Sequence, residues 1–396
     1  MDNREKISLA TATTLRFFFI FATVITLQVY FEDIGASELQ IGLIQSSLWL
    51  GILLFSPFWG NISDITGKSR KILLGTSASA IFLLPMITLT ENVWIILIIL
   101  FVISSLTSSY QPITLSIASE RSKKNDRGTN MAVYNSSRGL GITLGRFLSG
   151  ILLTVTAYTH TFHIYTLVSL GAFIAVLKLP RKNGVKTVEN GSNIFIDSFK
   201  KIWPSNLGKL WHMNGHKYLM AAVFLRKLAI TGVMSMLAVY ITSVRGLTSM
   251  EMGVITGIEP GLQVVFMFLF GQLSDKVGRK EVFSTGFILC ALVPIIYARA
   301  DTFVIFLLGS FLLGISFSAI TSGTTAFIGD IAPKSRQGEI LGVRKTIQGI
   351  AGVLGGVLGG VLTSLFGFQN MFYTMSFLMV LGAFIAYYNT QKTLNH

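Results

Sequence analysis

Apolar residues run through this chain in stretches of about 20, one after another, with short charged turns between them. About 20 helical residues cross the ~30 Å hydrocarbon core of a bilayer, and stretches of that length along a whole chain leave no room for a soluble fold. Inside lipid every backbone N–H and C=O has to be satisfied by the chain itself, which leaves only helices or a closed barrel. Barrel strands alternate apolar and polar residues, whereas runs such as 93–103 are continuous. The expected class is an all-α integral membrane protein, and 51% hydrophobic against 13% charged residues over 396 positions agrees with it. Arg4 and Lys6 precede the first run in the manner of a signal peptide, but the run is too long and lacks a small-residue cleavage site, so it reads as the first span. The single cysteine, Cys290, excludes an internal disulfide.

The spans are expected near 9–31, 39–59, 72–90, 94–117, 129–154 and 161–180, then 218–242, 250–271, 281–298, 303–329, 338–365 and 370–388. This plan of 12 transmembrane helices has an N-terminal six-helix bundle at 1–180, a cytoplasmic linker at 181–216 and a C-terminal six-helix bundle at 217–396. In the linker, Phe195, Phe199, Ile202 and Trp203 recur at helical spacing beside Lys200 and Lys201, which suits either a helix lying on the membrane surface or a solvated tether. Basic residues gather on one side: Lys68, Arg70 and Lys71, then Arg121, Lys123, Lys124 and Arg127, the linker, Lys276, Arg279 and Lys280, and Lys334 and Arg336. The opposite loops hold Arg245 and Arg299 among Glu32, Asp33, Glu38, Glu91, Glu251 and Asp301. The positive-inside tendency then makes the linker and both termini cytoplasmic in a multi-pass plasma-membrane protein. That topology and contact with anionic lipid account for the net charge of +14, so no nucleic-acid partner is expected.

The chain also repeats itself. Gly60, Asp64, Gly67 and Lys68 sit in a stretch reading Gly-x-x-Ser-Asp-x-x-Gly-Lys/Arg, and the same pattern returns as Gly271, Asp275, Gly278 and Arg279, displaced by 211 positions. Arg16 and Tyr30 match Arg226 and Tyr240 at an offset of 210, and Gly139, Gly145 and Gly150 match Gly349, Gly355 and Gly360. Each copy of the pattern is expected to be a tight, charged turn following the second span of its half. Two halves with one plan and one orientation relate by a pseudo-twofold axis along the membrane normal, with a cavity between them near the midplane.

These residues resemble the major facilitator superfamily, whose signature loop between spans 2 and 3 has this Gly-x-x-x-Asp-x-x-Gly-Arg/Lys form. The resemblance covers nearly the whole chain and implies a transporter in which both loops close the cytoplasmic mouth. It assigns that gate to Gly60, Asp64, Gly67 and Lys68 with Gly271, Asp275, Gly278 and Arg279. The plainer reading is a solvated turn that anchors topology. Gly141-x-x-x-Gly145-Arg146-x-x-Ser149-Gly150 in span 5 resembles the antiporter motif of drug-exporting branches, but Arg146 stands where they have proline. Helix packing accounts for the same glycines. The span 4 arginine common among exporters is missing from 94–117.

Charges inside the spans are the sharpest functional signal, because each is costly in hydrocarbon. Glu259, followed by Pro260, lies ~18 Å from Gly271 by helical rise, close to the midplane. Arg226, Lys227 and Arg138 come out ~15 Å deep, with Arg16 slightly shallower. Glu259 is therefore a candidate proton-coupling group, the alternative being a static buried ion pair. Arg16 and Arg226 suit an anionic substrate, as arginines of spans 1 and 7 do in the organophosphate antiporter branch; the alternative is snorkelling to inner headgroups. Tyr30, Tyr110, Gln111 and Tyr240 are expected along the cavity's outer half. No phosphate loop, metal-ligand cluster or catalytic triad is placed by a motif. The expectation is a non-enzymatic permease without cofactor or metal, monomeric, driven by a proton or other ion gradient, moving a small organic solute. Multidrug/proton antiport and a transport-inactive sensor on the same scaffold are the alternatives.

Overall fold

The computed structural model describes residues 3–120, 127–179, 216–331 and 337–389, and no strand occurs among them. The N-terminal elements are α1 (Asn3–Asp33), α2 (Glu38–Thr66), α3 (Ser69–Met86), α4 (Val93–Thr107), α5 (Tyr110–Glu120), α6 (Arg127–Val155) and α7 (Tyr158–Leu177). They are followed by α8 (His216–Val239), α9 (Ser249–Val277), α10 (Arg279–Arg299), α11 (Phe303–Ile331) and α12 (Gln337–Asn389). Eleven helical stretches among the described residues are long and apolar enough to cross a membrane. The last of these is broken at Gly367 (φ 78°, ψ 166°), inside α12. The amphipathic linker segment around 195–203 lies outside the described residues.

Span 4 departs from the expected continuous helix. Asn92 caps α4 by accepting from the N–H groups of Trp94 and Ile95. The helix then stops at Thr107, and Ser108 and Ser109 intervene before α5. Pro112, in the first turn of α5, has no N–H for the Ser108 carbonyl, so the hydrogen-bond ladder cannot run unbroken across this point.

The repeated charged stretches are also shorter as turns than expected. Helix α2 continues through Gly60 and Asp64 to Thr66, and α9 continues through Gly271 and Asp275 to Val277. A glycine inside a helix costs only ~1 kcal/mol, so Gly60 and Gly271 do not stop either one. The chain turns at Gly67 (φ 63°) and Gly278 (φ 121°), whose N–H groups reach the carbonyls of Ser63 and Ser274 at 3.0 and 3.3 Å. These positive φ values are what a glycine at a helix end provides.

By contact the chain forms two compact units, Met1–Thr26 with Ser47–Ser205, and Leu27–Ser46 with Asn206–His396. In the first, α1 packs on α6 so closely that a Cβ on Gly145 would collide with the Phe18 carbonyl. In the second, a Cβ on Gly355 would collide with the Leu228 carbonyl, and both partners of that contact are displaced by 210 positions from the first. Small residues let backbones approach in this way where lipid offers no hydrophobic drive. Hydroxyl groups tie further helices together: Ser8 donates to the Ala175 carbonyl at 2.7 Å and Ser376 to the Ala291 carbonyl at 2.6 Å. Gly355→Val should lower stability by ~3 kcal/mol, the upper range for overpacking, read as a lower melting temperature in detergent. An unchanged melt would show that the two helices separate freely.

Candidate substrate site

A cavity of about 90 Å³ lies inside the first unit. Helix α1 lines it with Arg16, Phe17, Ile20 and Phe21, α2 with Leu48, Trp49 and Ile52, and α6 with Arg138. The interrupted span contributes Ser104, Thr107 and Ser108 before the break and Tyr110 and Gln111 after it. Two guanidinium groups thus face a space with no carboxylate among its described lining residues.

Arg16 is 7% exposed, so it does not reach out to a surface. Its guanidinium carbon stands 4.7 Å from the centre of the Phe19 ring, and neither Nε nor Nη1 has a hydrogen-bond partner among the described residues. Arg138 lies 5.4 Å from the Phe17 ring centre, with Nε also unpartnered. The ring faces give some cation–π stabilisation, ~2 kcal/mol when desolvated, which falls short of the cost of burying an unpaired charge. The Tyr110 hydroxyl, buried in the same lining as Arg16, is a further donor without a partner among the described residues. Arginines, a tyrosine hydroxyl and the Gln111 amide give this lining an excess of hydrogen-bond donors.

Four residues singled out from sequence, Arg16, Arg138, Tyr110 and Gln111, line one cavity. Arg146, two turns beyond Arg138, is half-buried with its guanidinium 5.3 Å from the Phe21 ring centre, outside that lining. Phe17 and Phe21 stack at 6.3 Å, so each ring of this α1 pair takes one arginine of α6.

Other candidates belong to the second unit. Arg226 on α8 is 3% exposed, 4.3 Å from the Phe317 ring centre, with Nε and Nη2 unpartnered among the described residues. It repels Arg344 of α12, whose Nη1 donates to Thr325 Oγ1 at 3.1 Å. Sequence reading missed Arg344; a cation seven positions into a span was the available signal. Lys227 and Glu259 are half-buried on α8 and α9. The Glu259 backbone carbonyl packs against Gly314 of α11.

Tyr240 is enclosed by other side chains. It is 1% exposed, its hydroxyl donates to the Ala298 carbonyl at 3.2 Å and accepts from Arg245, and Phe306, Phe368 and Phe372 enclose its ring. With its polar end committed, it braces the end of α8. Tyr30 is half-buried near the end of α1. At the gate residues, Arg279 pairs with Asp275 on the adjacent turn and donates to Ser274 Oγ at 2.8 Å. In the first copy Ser63 and Ser69 hydroxyls bond at 2.8 Å, while Asp64 and Lys68 are exposed.

A model of the Major Facilitator Superfamily matches residues 9–258 and again 219–395. The MFS-type transporter MJ1560 of Methanocaldococcus jannaschii is 29% identical over 370 residues, covering 92% of each chain. The multidrug resistance protein MdtG of Dickeya zeae is 22% identical over 380 residues, covering 93% of this chain and 90% of its own. Among solved structures, a variant of the nucleoside transporter NupG superposes with a TM-score of 0.79 at 14% identity, over 96% of this chain and 98% of that one. The repeated turn, the paired helix contacts and the family match along both halves lead to one conclusion: this chain belongs to the Major Facilitator Superfamily, and is a multi-pass membrane transporter rather than an enzyme.

Proposed function

We propose that the chain is a secondary active permease of the plasma membrane that moves a small organic anion by alternating access with proton coupling. Counting α12 as two spans about Gly367 and α4–α5 as one gives twelve, which supports two six-helix bundles at 1–180 and 217–396 with cytoplasmic termini. The protein works as a monomer, and its partners are the solute and the bilayer. The paired turns at Gly67 and Gly278 serve as the cytoplasmic gate, and Glu259 carries the coupled proton. The observation that carries the anion reading is the buried Arg16, with Nε and Nη1 unpartnered among the described residues, lining one cavity with Arg138 and no described carboxylate.

Multidrug efflux is the second reading, favoured by the similarity to MdtG. Two cations in the cavity oppose cationic drugs, and Arg146 in place of the exporters' proline points the same way. Proteoliposomes with an imposed pH gradient separate these readings when organic anions, sugars and cationic dyes are screened while internal pH is recorded. Proton flux is expected with organic anions. Cationic dyes that outcompete them would overturn the anion reading in favour of efflux, and a folded protein silent with every solute would favour the sensor.

A further inference from the structure

The cavity has unlike walls. Along α1 its lining changes from Arg16 to Phe21 over five positions, ~7.5 Å of helix. Helix α2 offers only apolar groups, Leu48, Trp49 and Ile52. Polar groups come instead from the interrupted span, where Ser108 and Gln111 flank the break, and from Arg138 on α6. Arg16 is electrostatically coupled to Tyr110, the first residue after that break, so charge and helix interruption share one end of the space. A single negative group fits there and a flat apolar body fits against Trp49, since indole presents a large face to another ring. The volume of about 90 Å³ is below that of the ~150 Å³ apolar cavity that takes a benzene ring, so there is room for no more than one ring.

We infer that the ligand of this cavity is an aromatic monocarboxylate, its carboxylate held by Arg16 and Arg138 at the interruption of span 4 and its ring laid on Trp49. The inference rests on the anion reading proposed above and adds the aromatic body, the single charge and the position of each. A carboxylate is planar like the guanidinium and matches its paired donors.

Calorimetric titration of the protein in nanodiscs, using benzoate, phenylacetate, acetate, inorganic phosphate and benzylamine, tests it. Benzoate and phenylacetate are expected to bind, with acetate at least ~10-fold weaker because it lacks the ring contact. Trp49→Ala should bring phenylacetate down to the affinity that the same variant shows for acetate, and Trp49→Phe should restore most of the difference. If Trp49→Ala does not fold, comparing Trp49→Phe with Trp49→Leu reads the same aromatic contribution. Acetate or phosphate binding as tightly as benzoate would overturn the aromatic class. If that acetate binding is lost in Arg16→Ala, the anion reading above stands. Benzylamine binding, or no anion binding at all, would overturn both.

Discussion

Arg16→Ala should remove anion transport and at the same time make the protein more stable in anion-free buffer. The two effects have one cause. Arg16 is a guanidinium at 7% exposure with two nitrogen atoms lacking any described partner, and the Phe19 ring offsets part of the loss of its hydration. A buried charge without a counter-charge destabilises the empty protein, and truncation to alanine relieves that cost. A bound anion reverses the balance. Losing one side of a buried, hydrogen-bonded charge pair costs ~2–5 kcal/mol, which corresponds to ~30-fold to several-thousand-fold in affinity. Wild-type protein should therefore melt higher as anion is added, following RT ln(1 + [L]/Kd), while Arg16→Ala melts at one temperature throughout. Arg16→Lys keeps the charge but not the planar fork, and should recover only part of the affinity. Wild-type transport rates in Arg16→Ala would show that the cavity is not the substrate site.

The fold could be read from sequence because lipid permits so few solutions, and the duplication could be read because identical offsets recur. Gly145 on the Phe18 carbonyl and Gly355 on the Leu228 carbonyl are one contact written twice, 210 positions apart. What stayed hidden depends on local chemistry inside apolar runs. The break at Ser108–Ser109 falls in the polar stretch from Ser104 to Gln111 just before Pro112, but Pro57 and Pro260 sit inside unbroken helices, so these residues did not by themselves announce a stop. Helical continuation through Gly60 and Gly271 was hidden for the opposite reason, since glycine and charge look like a turn while costing a helix little. The cavity itself draws on four spans, and nothing in the sequence says that Trp49 and Ser104 share a wall with Arg16. The partners of Tyr240, expected along the cavity's outer half, were equally illegible: its hydroxyl is taken by Arg245 and a backbone carbonyl.

Glu259→Gln should abolish pH-driven net transport while leaving substrate exchange intact. Glutamine keeps the size of the side chain and cannot carry a proton, so it separates coupling from binding. Glu259 is half-buried on α9 beside the buried Pro260, and its backbone is held against Gly314, so the substitution changes charge with little room for rearrangement. If protonation of Glu259 is linked to substrate binding by the ~1–3 kcal/mol usual for coupled sites, it raises wild-type substrate affinity by ~5–150-fold, and an inward proton gradient speeds uptake at sub-saturating substrate. The variant should show none of that acceleration, its uptake being the same with and without the gradient. Counterflow needs substrate on both sides and no net proton movement, so labelled substrate should still exchange at near wild-type rates. Gradient-driven uptake that survives in Glu259→Gln would remove Glu259 from the coupling step and leave it a structural charge. Loss of counterflow together with uptake would place Glu259 in binding or in folding, and a melting curve would tell those two apart.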